Sequence, residues 1–249
     1  MRQVCSQPVS YLSQVLQLRT MREKDLASTH ETLIVYTHGA LSSKRSWNYI
    51  QKQVNRGRAK SKTAELYFEY DLQEEDAFLI LSDFVNEIKK EILKRSPKKV
   101  IMVGHSFGGV LSVAAARELV QDLPNLEYAV ITMAAPFAGA RIAPLFTLFS
   151  PCSKFFTNIR HNSGFMWSFQ NRPLACLTYS FITTSGGVRW IPGDNDGVVT
   201  RESQNHFCGD PMMVTTLIDM NHFEVLMSDN VAARITSEII NREPISKAA

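Results

Sequence analysis

Apolar residues along the chain follow two rhythms in turn. Residues 32–37 (TLIVYT) are a β-rich run of buried-strand type, and 100–103 (VIMV), 126–133 (LEYAVITM), 177–183 (LTYSFIT) and 212–218 (MMVTTLI) are further short runs that read as strands. Residues 64–70 (AELYFEY) alternate instead, which predicts a strand near a sheet edge. Between these runs the spacing becomes helical. Phe78, Leu79, Leu81, Phe84, Val85, Ile88 and Ile92 share one face within residues 74–95, and Ser96-Pro97 ends that segment. Leu111, Val113, Ala114, Ala115 and Leu119 mark a helix over 110–120, and Phe223, Val225, Leu226, Val231, Ile235 and Ile239 point inward from one over 223–241. Tyr11, Leu12, Val15, Leu16 and Leu18 predict an N-terminal helix within residues 1–30. Strands alternating with helices predict an α/β fold built on a mostly parallel sheet of about six to seven strands, with helices on both faces.

The alternation is interrupted once. Residues 140–175 hold Leu145, Phe146, Leu148, Phe149, Phe155, Phe156, Phe165, Met166, Trp167 and Phe169, too apolar on too many sides to face the sheet alone. This predicts a small cap or lid insert with an apolar inner face, set within one domain spanning residues 1–249.

Composition narrows the class without naming a chemistry. An apolar fraction of 45% and a charged fraction of 20% are those of an ordinary globular protein, and a net charge of +3 over 249 residues gives no argument for nucleic acid. The basic run from Lys52 to Lys62 reads as a solvated loop. Cys5, Cys152, Cys176 and Cys208 are too few and too scattered for a disulfide scaffold or a zinc site, and a Cys152–Cys176 bridge would need an oxidising compartment. The sequence contains no apolar segment of signal-peptide length and no run approaching a membrane span. A cytoplasmic location is the default expectation, with secretion only if a leader has been removed. Oligomeric state is not encoded in any of these features.

Chemistry enters where the run over residues 100–103 ends in Gly104-His105-Ser106-Phe107-Gly108, followed by Gly109 and helix-forming sequence. Strand, sharp turn and helix in that order lift a serine hydroxyl clear of both elements, while the helix N-terminus stabilises negative charge beside it. Ser106 is therefore the candidate nucleophile. The backbone N–H of the following residue, Phe107, is a candidate donor to an oxyanion. A second strand-to-loop junction, His38-Gly39-Ala40, follows residues 32–37, and His38 is expected to hydrogen-bond within its own loop.

With these motifs in view the chain resembles the α/β-hydrolase fold, and within it is similar to small bacterial lipases and esterases, from about Leu33 to the last helix. The resemblance implies that the N–H of Ala40 is the second oxyanion donor. It also implies that acid and base follow the serine in that order. His222 comes after a strand and immediately before a helix, the placement expected of the base. Asp196-Gly197-Val198-Val199, followed by Ser203, resembles the acid turn, so Asp196 is preferred, with Asp194 as the alternative and Asp219 a more distant one. Ala135-Pro136-Phe137-Ala138-Gly139 resembles the Pro-x-x-Gly turn of similar lipases. The implied activity is ester hydrolysis through an acyl-enzyme on Ser106, using no cofactor and no metal. The substrate would be a small-molecule or lipid ester, with transient contact at a lipid surface as one mode of access. Acyl transfer, thioester hydrolysis and a non-catalytic binding role on the same fold stay open at this point.

Overall fold

A computed structural model describes residues 31–57, 62–71, 76–140 and 154–240. The strands are β1 (Thr32–Thr37), β2 (Thr63–Phe68), β3 (Lys99–His105), β4 (Glu127–Met133), β5 (Leu177–Thr183) and β6 (Met213–Ile218). They form a single six-stranded sheet in the order β2-β1-β3-β4-β5-β6, with every neighbouring pair parallel. The helices are α1 (Asn48–Gly57), α2 (Ala77–Arg95), α3 (Phe107–Asp122), α4 (Lys154–Asn158), α5 (Gly164–Gln170), α6 (Arg201–Gln204) and α7 (Asp229–Ile240). This is the α/β-hydrolase architecture.

Successive strand residues point to opposite faces, and each face has its own core. Leu33, Val35, Val100, Met102 and Val130 look toward α2, α3 and the helices after β4. Ile34, Tyr36, Ile101, Val103 and Ile131 look toward Trp47 and Ile50 on one side and Ile235 and Ile239 of α7 on the other. All these strand residues are fully buried, which is why β1, β3 and β4 read as unbroken apolar runs. Trp47 is thus a core residue. Tyr49 packs against the same face, and its hydroxyl donates to Asp229 Oδ1 at 2.9 Å.

Helix ends follow local chemistry. Asp76 caps α2 by accepting from the Phe78 amide at 2.9 Å, and Ser96 stops it in the left-handed region (φ 47°) ahead of Pro97. α3 starts at Phe107, directly at the turn, earlier than the apolar spacing alone predicts. The C-terminal segment is broken where the sequence pattern predicts one helix. A 3-10 turn over Glu224–Met227 ends at Ser228, whose extended backbone (ψ 122°) separates it from α7. Phe223 consequently lies outside the core, 65% exposed. β6, the last strand as expected, forms the sheet edge, and Val214 and Leu217 face solvent. The predicted N-terminal helix, residues 141–153 of the predicted insert, Cys5 and Cys152 lie outside the described residues.

Candidate active site

The carboxyl ends of β1, β3, β5 and β6 lie along one edge of the sheet, and each delivers part of the site. At the end of β3 the chain turns through Ser106, which adopts φ 53° and ψ −125°, a region costing a non-glycine residue about 1 to 3 kcal/mol. Two glycines make the turn possible. A Cβ on Gly104 would lie 2.3 Å from the Gly108 carbonyl oxygen, and one on Gly108 would lie 2.2 Å from that of Thr37. The strain is held by hydrogen bonds from the Ser106 amide to Met133 O (2.8 Å) and from the Gly109 amide to Ser106 O (2.9 Å). Phe107 opens α3, so its N–H belongs to the first turn and has no partner within the helix.

The loop after β1 lies against this turn. A Cβ on Gly39 would meet His105 Nδ1 at 2.9 Å and Ser106 Cβ at 3.0 Å, so only glycine lets Gly39 and Ala40 run this close to the serine. His38 Nδ1–H donates to Gly39 O at 2.8 Å, within its own loop. Burial holds the His38 imidazole below its ordinary pKa, against smaller opposing effects of the Gly39 carbonyl and Glu69. The residues just after β2 brace the same loop. Tyr70 donates to His38 O at 2.8 Å and stacks on the His38 ring, centroids 4.5 Å apart and 8° from parallel. Glu69 accepts from the Lys44 amide at 3.2 Å.

Asp196 sits in the loop after β5 and is buried. Its Oδ1 accepts from the amides of Val198 (3.0 Å) and Val199 (2.7 Å). Its Oδ2 accepts from Thr183 Oγ1 (2.5 Å), Gln204 Nε2 (3.2 Å) and His222 Nδ1 (2.9 Å). Burial alone would raise this carboxyl. The His222 ring, the Thr183 hydroxyl and the Val199 amide outweigh it and hold the carboxyl below the ordinary aspartate range. Asp194 and Asp219 are both exposed, and Asp219 engages Ser185 Oγ.

His222 is buried and positioned from three sides. Its amide donates to Asp196 O (3.1 Å), its Nδ1–H to Asp196 Oδ2, and its carbonyl accepts from His105 Nε2–H (2.8 Å). The His105 and His222 ring centroids are 4.9 Å apart, which puts the imidazole beside the residue preceding Ser106. Burial pushes the His105 pKa down to about 3, with nearby His222 adding to the effect. With Nδ1–H committed to Asp196, the unprotonated nitrogen of His222 is Nε2, the state a general base requires. Ser106 Oγ caps no amide of α3 and makes no hydrogen bond among the described residues, so its proton is not committed elsewhere. No hydrogen bond joins Ser106 Oγ to His222 Nε2 in this structure.

The described part of the insert packs over the start of α3. Phe155 of α4 stands edge-on to Phe107 at 4.7 Å, and Phe165 of α5 lies 6.0 Å from it. Arg117 of α3 reaches across to donate to the carbonyls of Phe169 (2.8 Å), Pro173 (2.9 Å) and Arg172. Burial pushes its guanidinium pKa down to about 10. The bundle of donors around Asp196 was not foreseen from sequence. Thr183 stands at the carboxyl end of a strand, a position that flags ligand-edge residues in open sheets; Gln204 and Tyr70 carry no such signal. Among the described residues no group of three or more His, Cys, Asp or Glu side chains could hold a metal ion, and no helix is long and apolar enough to cross a membrane.

Comparison with known proteins adds a family and a fold. Residues 27–165 match the family described as "Putative serine esterase (DUF676)". A search of curated proteins returns no match. Among solved structures, phospholipase PlaB from Legionella pneumophila superposes with a TM-score of 0.60 at 11% identity, covering 85% of this chain and 60% of that one. Aspergillus fumigatus lipase B gives a TM-score of 0.60 at 11% identity, over 88% of this chain and 54% of that one. The RedJ thioesterase from the prodiginine biosynthetic pathway of Streptomyces coelicolor gives 0.54 at 13% identity, over 94% and 97%. At these identities the likeness is one of fold. The chain spans little more than half the length of the phospholipase and of the lipase.

Proposed function

The chain belongs to the DUF676 serine esterase family, and from that membership we propose that it hydrolyses carboxylic esters through an acyl-enzyme on Ser106. The observation that carries this reading is the 2.9 Å bond from His222 Nδ1 to a buried, multiply hydrogen-bonded Asp196, with the imidazole lying beside a strained serine turn. A serine hydroxyl is a poor nucleophile near neutral pH and needs such a base.

In the proposed reaction, Nε2 of His222 takes the Ser106 proton as Oγ attacks the ester carbonyl. The imidazolium is stabilised by Asp196, which keeps its charge. The carbonyl oxygen, now an oxyanion, accepts from the amides of Ala40 and Phe107. Collapse of the tetrahedral intermediate expels the alcohol, which takes the proton back from His222. Water, deprotonated by the same nitrogen, attacks the acyl-enzyme and releases the carboxylic acid with Ser106 restored.

A fluorophosphonate probe tests the nucleophile: it should label the wild-type protein and fail to label Ser106→Ala. Turnover of p-nitrophenyl esters of graded acyl length should exceed that of matching acyl thioesters. Absence of labelling would remove the enzymatic reading, and faster thioester turnover would replace the ester assignment.

A further inference from the structure

At the catalytic edge β5 runs on past β4. Their pairing stops at Phe181 opposite Met133, and Ala134 turns the chain away in the left-handed region (φ 51°). Along β5 the backbone groups alternate between its two neighbours: the Thr184 amide donates to Ile218 O of β6 at 3.1 Å, so that of Thr183 faces the side β4 has vacated. The side chain of Gln204 fills that place. Its Oε1 accepts from the Thr183 amide at 3.0 Å and its Nε2 reaches the Thr183 carbonyl at 3.5 Å, as the backbone of a continuing strand would. Both residues are buried.

This pairing decides which way the glutamine amide faces. A backbone N–H only donates, so the atom against it is Oε1, and Nε2 is left to face Asp196, where it donates to Oδ2 at 3.2 Å. Thr183 Oγ1 lies 2.5 Å from Asp196 Oδ2 and 3.2 Å from Gln204 Oε1. With Oε1 already taken by the amide, the single hydroxyl proton goes to the carboxylate. Gln204 is itself seated by α6. Thr200 caps that helix by accepting from the Ser203 amide at 3.2 Å, and Ser203 Oγ donates to Gly139 O at 2.8 Å, which ties the helix to the turn after β4.

The amides of Val198 and Val199 anchor Oδ1 of Asp196 and by themselves leave the tilt of the carboxyl plane open. Gln204 Nε2 and the Thr183 hydroxyl close it by holding Oδ2, the oxygen that also accepts from His222 Nδ1–H at 2.9 Å. The direction from which the imidazole meets the acid is set at that oxygen, and with it the direction in which the opposite ring nitrogen points. We infer that Gln204, with the Thr183 hydroxyl beside it, is the positioning residue for the acid and base: its amide, oriented by the end of β5, fixes Asp196 Oδ2 and through it the His222 ring. The inference rests on the ester-hydrolase reading for its effect on rate, and on the hydrogen bonds alone for its effect on the ring. Neither side chain touches substrate; each acts through Asp196.

The test uses the full chain and three variants. Gln204→Met keeps the length of the side chain and removes its donor and acceptor, Thr183→Val removes only the hydroxyl, and Thr183→Ser restores it. Each is followed by p-nitrophenyl ester kinetics, by Tm, and by the low-field proton NMR resonance of His222 Nδ1–H, identified by its loss in His222→Gln. Gln204→Met and Thr183→Val should each lower kcat roughly tenfold with KM unchanged and shift or broaden the resonance, while Thr183→Ser stays within about twofold of wild type. Gln204→Met also orphans the Thr183 amide, so its Tm should fall; a purely structural role would end there. Two results overturn the inference: a Gln204→Met protein that loses Tm but keeps the wild-type kcat and resonance, or a Thr183→Ser protein no better than Thr183→Val. The Thr183 pair decides alone if Gln204→Met does not fold. A wild type that a fluorophosphonate fails to label removes the ester reading, and the resonance then decides by itself: a shift in the variants supports the positioning role and an unmoved signal overturns it.

Discussion

Replacing Asp196 by asparagine removes one acceptor from a place where five donors converge. Two are the amides of Val198 and Val199 on Oδ1; three are Thr183, Gln204 and His222 on Oδ2. An asparagine has a single oxygen and must choose. If that oxygen faces Thr183, Gln204 and His222, its NH2 confronts two buried amide N–H groups, and each orphaned donor costs about 1 to 3 kcal/mol. If it stays on the two amides, the NH2 meets the other three. The Thr183 hydroxyl can turn and accept. Gln204 cannot reverse its amide without releasing the Thr183 amide bound to its Oε1 at 3.0 Å, so one donor is lost there. His222 then has to accept at Nδ1, which moves its proton to Nε2 and leaves no base for Ser106. The second arrangement costs less stability and is the inactive one. Asp196→Asn should therefore fold with a loss of about 1 to 3 kcal/mol and lower kcat by about 10³- to 10⁴-fold, equivalent to about 4 to 5 kcal/mol in the barrier. Asp194→Asn, at an exposed site, should stay within about twofold of wild type. Steady-state hydrolysis of a p-nitrophenyl ester, with urea unfolding of each variant, measures both quantities. A kcat for Asp196→Asn within tenfold of wild type, or an equal loss in Asp194→Asn, would refute the argument.

Three further outcomes follow from the same geometry. Tyr70→Phe keeps the stack on His38 but deletes the bond to its carbonyl, so the loop bearing Ala40 should loosen and kcat should fall about tenfold with KM unchanged, in the same ester assay. Arg117→Leu strips donors from the carbonyls of Phe169, Arg172 and Pro173 and should destabilise the protein by about 3 kcal/mol, read from the urea midpoint. His105 titrates at about 3 when folded and near 6.5 when unfolded, so the unfolded chain binds the extra proton. Its contribution is complete above pH 6.5 and is lost as pH falls toward 3, at up to about 1.4 kcal/mol per pH unit. His105→Gln, which can still donate to the His222 carbonyl, should flatten that part of the stability profile.

What could be read from the chain, and what could not, divides along a physical line. β1, β3 and β4 are legible because burial on both faces leaves no room for polar residues, so their apolar runs survive any change of neighbours. The serine turn is legible because backbone packed on backbone at Gly104 and Gly108 excludes every other residue type, and that exclusion is written locally. β6 is legible as a strand because MVTTLI records an intrinsic preference for one, but its exposure is not, since that depends on there being no seventh strand beside it among the described residues. Phe223 is misread for the related reason that the helical spacing runs through Ser228 while the backbone does not. Thr183, Gln204 and Tyr70 are silent in sequence because each acts on a partner at least eight residues away, and a hydroxyl or amide looks the same whether it faces water or a buried carboxylate. Local pattern thus specifies the strained turn and the layers around it. The tautomer of His222, on which the proposed deprotonation of Ser106 would depend, is specified by tertiary contacts that only the folded chain assembles.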